Sequence, residues 1–187
     1  MKAKPVFVVG VPRSGTTFVA ERLGRLEKVV ATPEAQVLKA ALALAPEPIS
    51  GRQLKHTTDR LWRDYRLLTL KSKMTRAMLE ASLRNGGGSA LVDALLTEYA
   101  ERVGKPDFSF WVEHSPETIY DLPWLMEALP NATVVHIVRD CRGVIGSFRQ
   151  LPWGPHSAKR IAEYWMAVSH AGESLRRLHP ERVTTVK

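Results

Sequence analysis

Short valine-rich runs alternate along this chain with longer stretches whose apolar residues recur every three or four positions. Lys4–Gly10 is a run of the first kind, closed by glycine, and predicts a buried strand. Val29–Ala31, Phe110–Glu113, residues 133–138 and Val183–Val186 predict four more, with 133–138 the clearest. Residues 15–26 predict a helix with Phe18, Ala20, Leu23 and Leu26 facing inward. A helix over 34–45 stops at Pro46 and Pro48, and 51–83 reads as two or three irregular helices. Gly86, Gly87 and Gly88 form a break, followed by a helix over 89–103 with Ser89 as its cap. Further helices are expected over 116–129, with proline in the first turn, over 141–149, and over 157–178, closed by His179 and Pro180. Alternation of strand and helix implies an α/β fold, a parallel sheet with helices on both faces.

A length of 187 residues is enough for one domain with its own core. The N-terminal apolar run is too short for a signal-peptide core, and no run approaches the roughly 20 apolar residues of a membrane span. The single cysteine, Cys141, leaves no internal disulfide and fits a reducing compartment. A cytoplasmic protein is the expectation. The net charge of +8 fits either simple solubility or a polyanionic ligand. The basic stretch 55–84, with Trp62 and Tyr65 interleaved, reads as a solvated helix face. No nucleic-acid-binding motif accompanies it, so no nucleic-acid partner is expected.

The densest chemistry follows the first strand. Gly10-Val11-Pro12-Arg13-Ser14-Gly15-Thr16-Thr17 leaves a buried strand and opens a helix. In that geometry successive backbone N–H groups and a helix N-terminus converge on an anion. The two glycines are spaced as in G-x-x-x-x-G-K-[ST], but Thr16 stands where that pattern has lysine. Arg13 is the cation inside the loop. The missing lysine argues against ATP or GTP hydrolysis, which uses it together with a metal held by an aspartate. No metal site is expected.

A second basic stretch, residues 136–149, follows the strand at 133–138. Arg139 leaves that strand at its C-terminal end, where open α/β sheets bind ligands. Ser147 lies about two helical turns on, so both can flank one phosphate. Arg142 and Arg149 lie nearby.

Together the two stretches resemble the sulfotransferases that use 3′-phosphoadenosine 5′-phosphosulfate (PAPS). Residues 9–17 are similar to that family's loop for the 5′-phosphosulfate. Val138-Arg139-Asp140 with Ser147 is similar to its 3′-phosphate motif. Trp111-Val112-Glu113-His114-Ser115-Pro116 resembles an E-K-[ST]-P segment of the branch with tyrosylprotein and bacterial sulfotransferases. His179-Pro180-Glu181-Arg182-Val183 resembles the segment before the last core strand. The resemblance implies a three-layer P-loop fold with a helical insert after the second strand. It implies one domain over residues 1–187, lacking the family's C-terminal part. It also implies donor contacts from Arg13, Ser14, Gly15, Thr16, Thr17, Arg139 and Ser147, with PAP (adenosine 3′,5′-bisphosphate) as product.

The expected reaction is in-line transfer of a sulfuryl group to a hydroxyl or amine of a small molecule, lipid, carbohydrate or peptide. Arg13 is expected to serve catalysis as well as binding. Two groups compete as general base. Glu34 matches the catalytic glutamate of the tyrosylprotein branch. His114 stands where relatives carry a lysine that assists the leaving oxygen. His56 and Glu113 are reserves. Trp111, Trp124, Trp153 and Trp165 are expected in the core or the acceptor-pocket wall. The rival readings are a kinase or NTPase on the same fold, and a catalytically incomplete nucleotide-binding module. The sequence names neither the acceptor nor the oligomeric state.

Overall fold

The computed structural model describes residues 3–34, 36–44, 47–63 and 73–187. Five strands are present: β1 (Lys4–Gly10), β2 (Val29–Ala31), β3 (Phe110–Glu113), β4 (Thr133–Ile137) and β5 (Val183–Val186). They hydrogen-bond in the order β2-β3-β1-β4-β5. The helices are α1 (Thr16–Leu23), α2 (Gln36–Leu42), α3 (Gly51–Trp62), α4 (Arg76–Arg102), α5 (Leu122–Ala128), α6 (Cys141–Phe148) and α7 (Ala158–Leu178). The expected α/β class holds: the sheet is parallel and flanked by helices. The described chain forms two compact units, Met1–Lys4 with Leu26–Trp111, and Pro5–Arg25 with Val112–Lys187.

The first unit is mainly helical. Leu79, Leu83, Leu91, Val92, Leu95 and Leu96 put the buried stripe of α4 at helical spacing. Thr75 caps α4, its Oγ1 accepting the Met78 N–H at 3.2 Å. The expected glycine break is a kink within α4: Gly86 and Gly87 have non-helical backbone angles. At Gly88 a Cβ would overlap the Ala41 carbonyl oxygen, so α2 and α4 pack backbone against backbone. The helix expected over 34–45 is seen as α2; Ala45 and Pro46 lie outside the described residues. So do 64–72, within the irregular stretch 51–83 and including Tyr65. Ahead of β2, the Lys105 ammonium donates to the carbonyls of Leu26 (2.8 Å) and Val29 (3.0 Å).

The second unit carries the parallel core. β1 pairs with β4 from Val6 opposite Thr133 to Gly10 opposite Ile137, and β4 pairs with β5. Phe7, Val8 and Val9 are buried, which accounts for the unbroken apolar run. Helix α7 buries Ile161, Val168, Gly172 and Leu175, one stripe in helical register. A Cβ at Gly172 would overlap the His136 ring of β4, so only glycine lets α7 seat there. Burial holds the His136 imidazole below its usual pKa, partly offset by the nearby Glu173 carboxylate.

Two expectations change in this unit. Phe18 is 58% exposed and not part of an inner face; only Thr16 and Ala20 of α1 are buried, and the Arg22 guanidinium covers the Phe18 ring at 4.9 Å. Leu26, 55% exposed, lies beyond the end of α1 and belongs to the first unit. The helix expected over 116–129 is two pieces, a 3₁₀ turn at Pro116–Tyr120 and then α5. Pro123 has no N–H to continue a helix from the preceding turn, and it sits instead in the first turn of α5, where that N–H would have no intrahelical partner. The Arg182 guanidinium closes the far end, donating to the carbonyls of Met126 (3.2 Å), Leu129 (2.8 Å) and Ala132 (2.9 Å).

The glycines give a paired prediction. Gly172→Ala forces α7 off His136 and is expected to cost about 1–3 kcal/mol. A Cβ at Gly146 of α6 meets open space, so Gly146→Ala is expected to stabilise by about 0.5–1 kcal/mol. Urea unfolding of the two variants checks both signs.

Candidate functional site

Strands β1 and β4 end side by side, and the segments carrying the candidate anion-binding residues leave from those two ends. At Gly10 a Cβ would stand 2.5 Å from the Ile137 carbonyl oxygen, so the strands touch at their last residues. The C-terminal ends of parallel strands, where the strand order runs to opposite sides of β1, are where such sheets bind ligands.

The loop after β1 folds tightly. The Ser14 N–H donates to the Val11 carbonyl at 3.0 Å. Arg13 (φ 73°) and Gly15 (φ 99°) both take left-handed backbone angles, with α1 starting at the next residue. Left-handed residues in a turn, followed by a free helix N-terminus, form a concavity of N–H donors suited to an anion. Arg13 is the only non-glycine residue with positive φ among the described residues. Such a conformation costs on the order of 1–3 kcal/mol. Ser14 and Thr16 are buried, and the Ser14 hydroxyl has no hydrogen-bond partner among the described residues; Thr17 is exposed.

Arg13 is bonded on both sides of its backbone bend. Its Nε–H donates to the Ser147 Oγ at 3.0 Å. Its carbonyl accepts from the Arg139 Nη1–H at 2.9 Å. Three residues taken from two distant motifs therefore touch directly. Helix α6 carries Ser147 and is capped by Asp140, whose carboxylate accepts the Arg142 backbone N–H at 2.8 Å and pairs with its guanidinium at 2.6 Å. Those bonds, the side-chain one first, hold the Asp140 carboxyl down to about 2. Gly143 gives the Arg139 side chain room: a Cβ there would lie 3.1 Å from Arg139 Nε. From α7 the Trp165 indole N–H donates to the Arg139 carbonyl at 2.9 Å.

At the end of β3, Glu113 and His114 are both buried. The Glu113 carboxylate accepts the Ser115 N–H at 2.8 Å and the Thr118 hydroxyl at 2.9 Å, which fixes the 3₁₀ turn. Burial pushes the Glu113 carboxyl up, and the bonds from Ser115 and Thr118 oppose that rise.

The structure thus joins Arg13, Arg139 and Ser147, keeps Ser14, Gly15, Thr16 and Thr17 on the same loop, and puts His114 in the same unit. Glu34 belongs to the helical unit, exposed just ahead of α2. His56 is exposed on α3. Sequence reasoning missed the Asp140 cap, although aspartate just ahead of a helix signals one. It also missed the Trp165 bond and the Glu113 turn, which no local pattern announces. Among the described residues, no three His, Cys, Asp or Glu side chains group as metal ligands, and no helix is long and apolar enough to cross a membrane.

The fold is that of a parallel α/β protein in which a tight loop after β1 meets Arg139 and Ser147 beyond the end of β4. A profile of the sulfotransferase family matches residues 5–187, and the chain belongs to that family. It is similar in structure to the sulfotransferase domain of a Synechococcus olefin synthase (TM-score 0.60, 20% identity, covering 99% of this chain and 66% of that one). It is similar also to the sulfotransferase domain of the curacin biosynthetic pathway (TM-score 0.51, 18% identity, 98% and 66%). A third likeness is to a sulfotransferase of Mycobacterium tuberculosis (TM-score 0.51, 17% identity, 100% and 62%). The chain thus spans 62–66% of the length of these solved structures. No curated protein sequence matches it.

Two predictions follow from the geometry. Glu113→Ala leaves a buried hydroxyl and a buried N–H unpaired and is expected to cost about 2–4 kcal/mol in urea unfolding, with Glu113→Gln costing less. The Asp140 cap is expected to be complete above the ordinary carboxyl pKa near 3.8 and to be lost as pH falls through about 2. NMR titration of the Asp140 carboxyl carbon should show that low midpoint, returning toward 3.8 in Arg142→Ala.

Proposed function

We propose that this chain transfers a sulfuryl group from PAPS to a hydroxyl or amine acceptor. The observation that carries the reading is the direct contact of Arg13, in the phosphate loop, with Arg139 and Ser147. The loop fits a terminal phosphosulfate: left-handed residues 13 and 15, a helix N-terminus and a buried, unpartnered Ser14 hydroxyl face the needs of an anion. In this reading the N–H groups of residues 13–17, the Arg13 guanidinium and the Thr16 and Thr17 hydroxyls hold the 5′-phosphosulfate. Arg139 and Ser147 hold the 3′-phosphate, a bidentate guanidinium supplying specificity. Family membership over residues 5–187 supports reading the whole chain as one such domain.

Sulfuryl transfer has a loose transition state, as phosphoryl transfer does, so catalysis is mostly positioning and electrostatics. The acceptor oxygen or nitrogen bonds to sulfur as the bond to the bridging phosphate oxygen breaks. PAP departs, and the acceptor proton passes to a base. Charge gathering on the bridging oxygen meets Arg13 and the loop N–H groups. Glu34 is the first candidate base. His114, buried at the end of β3, is the second and is also suited to donate to the leaving oxygen. Acceptors remain the four classes named above. The single cysteine favours a reducing, cytoplasmic setting.

Calorimetric titration with PAP, AMP and ATP–Mg²⁺ tests the donor. PAP is expected to bind without metal and at least tenfold more tightly than AMP. Preference for ATP–Mg²⁺ would move the protein to the kinase reading. Glu34→Gln is expected to leave PAP affinity nearly unchanged while slowing transfer about 10²–10⁴-fold. An unchanged rate passes the base role to His114.

A further inference from the structure

Arg139 meets the phosphate loop before any nucleotide does. Its Nη1–H bonds the carbonyl of Arg13, the one non-glycine residue held in a left-handed conformation among those described. That carbonyl belongs to the peptide group whose N–H, on Ser14, also closes the turn onto Val11. The guanidinium therefore anchors the peptide plane at the centre of the bend. Its surroundings suit that contact. Gly143 leaves it space, the Arg139 carbonyl is held by the Trp165 indole, and Asp140 is engaged by Arg142. Ser147 holds the Arg13 side chain by accepting from its Nε–H.

We propose that Arg139 is a positioning residue for the phosphate loop as well as a ligand for the nucleotide's 3′-phosphate, so that the two anion subsites are coupled through the Arg13 peptide. Only the ligand arm of its test rests on the donor reading above. A residue that merely met the 3′-phosphate would be irrelevant to a ligand lacking that group. A residue that shapes the loop affects every anion the loop takes.

The experiment compares wild type with Arg139→Met, which keeps the length of the stem without a donor, and Arg139→Lys, which keeps one donor group. NMR ¹⁵N order parameters are read for Arg13–Gly15 and, as a gauge of the whole fold, for β4. In Arg139→Met the loop values are expected to fall from about 0.85 to below about 0.6 while β4 stays near 0.85. Arg139→Lys should fall between the two. AMP, which has no 3′-phosphate, is expected to lose at least fivefold in affinity for Arg139→Met. Unchanged loop values, or equal loosening of loop and β4, would overturn the proposal, as would an unchanged AMP affinity beside a weakened PAP affinity. If wild type binds neither PAP nor AMP, the donor reading fails, and the order parameters alone decide the coupling.

Discussion

The gap between Gly10 and the Ile137 carbonyl is too small for a single methyl group. That closeness sets what the rest of the second unit can do. Because β1 and β4 stay in register to their last residues, the chains that leave them start out as neighbours. A short turn then lets Arg13 reach Ser147, and one turn of strand exit lets Arg139 reach back to Arg13. A side chain at position 10 would push the strand ends apart, and both contacts would lengthen.

The contacts around Arg13 have an electrostatic character of their own. Neither of the two hydrogen bonds that join it goes to a carboxylate: Arg13 donates to a hydroxyl and Arg139 to a peptide carbonyl. Asp140, next to Arg139 in the chain, caps α6 and pairs with Arg142. Each of the two arginines is therefore held by a neutral oxygen, and the Asp140 carboxylate adds a charge attraction to Arg139. Both arginines are exposed, and two cations at the ends of neighbouring strands make a positive field that favours a polyanion.

The fold class was legible because it rests on local signals, and so do the two segments proposed to bind anions. A buried valine run, a glycine-punctuated loop and hydroxyls opening a helix lie within fifteen residues of one another, and the strand leading to Arg139 is equally compact. What the sequence hid depends on long-range packing. Phe18 sits at a helical position that reads as internal, yet a short α1 buries only Thr16 and Ala20. Pro123 divides a stretch whose apolar spacing is continuous, and the glycine triplet bends α4 where an end was expected. That Trp165 would meet the carbonyl of Arg139, 26 residues earlier, could be known only once α7 was laid on β4.

The loop after β1 owes its shape largely to main-chain geometry, and its donors are largely peptide N–H groups common to nearly every residue type. A surface built from the main chain exempts most side chains around it from scrutiny by selection. Only the handful that set backbone handedness, permit close approach or carry fixed charge are constrained. Such a frame can drift far in sequence while keeping its outline, which is the relation seen between this chain and solved structures that share its fold at 17–20% identity.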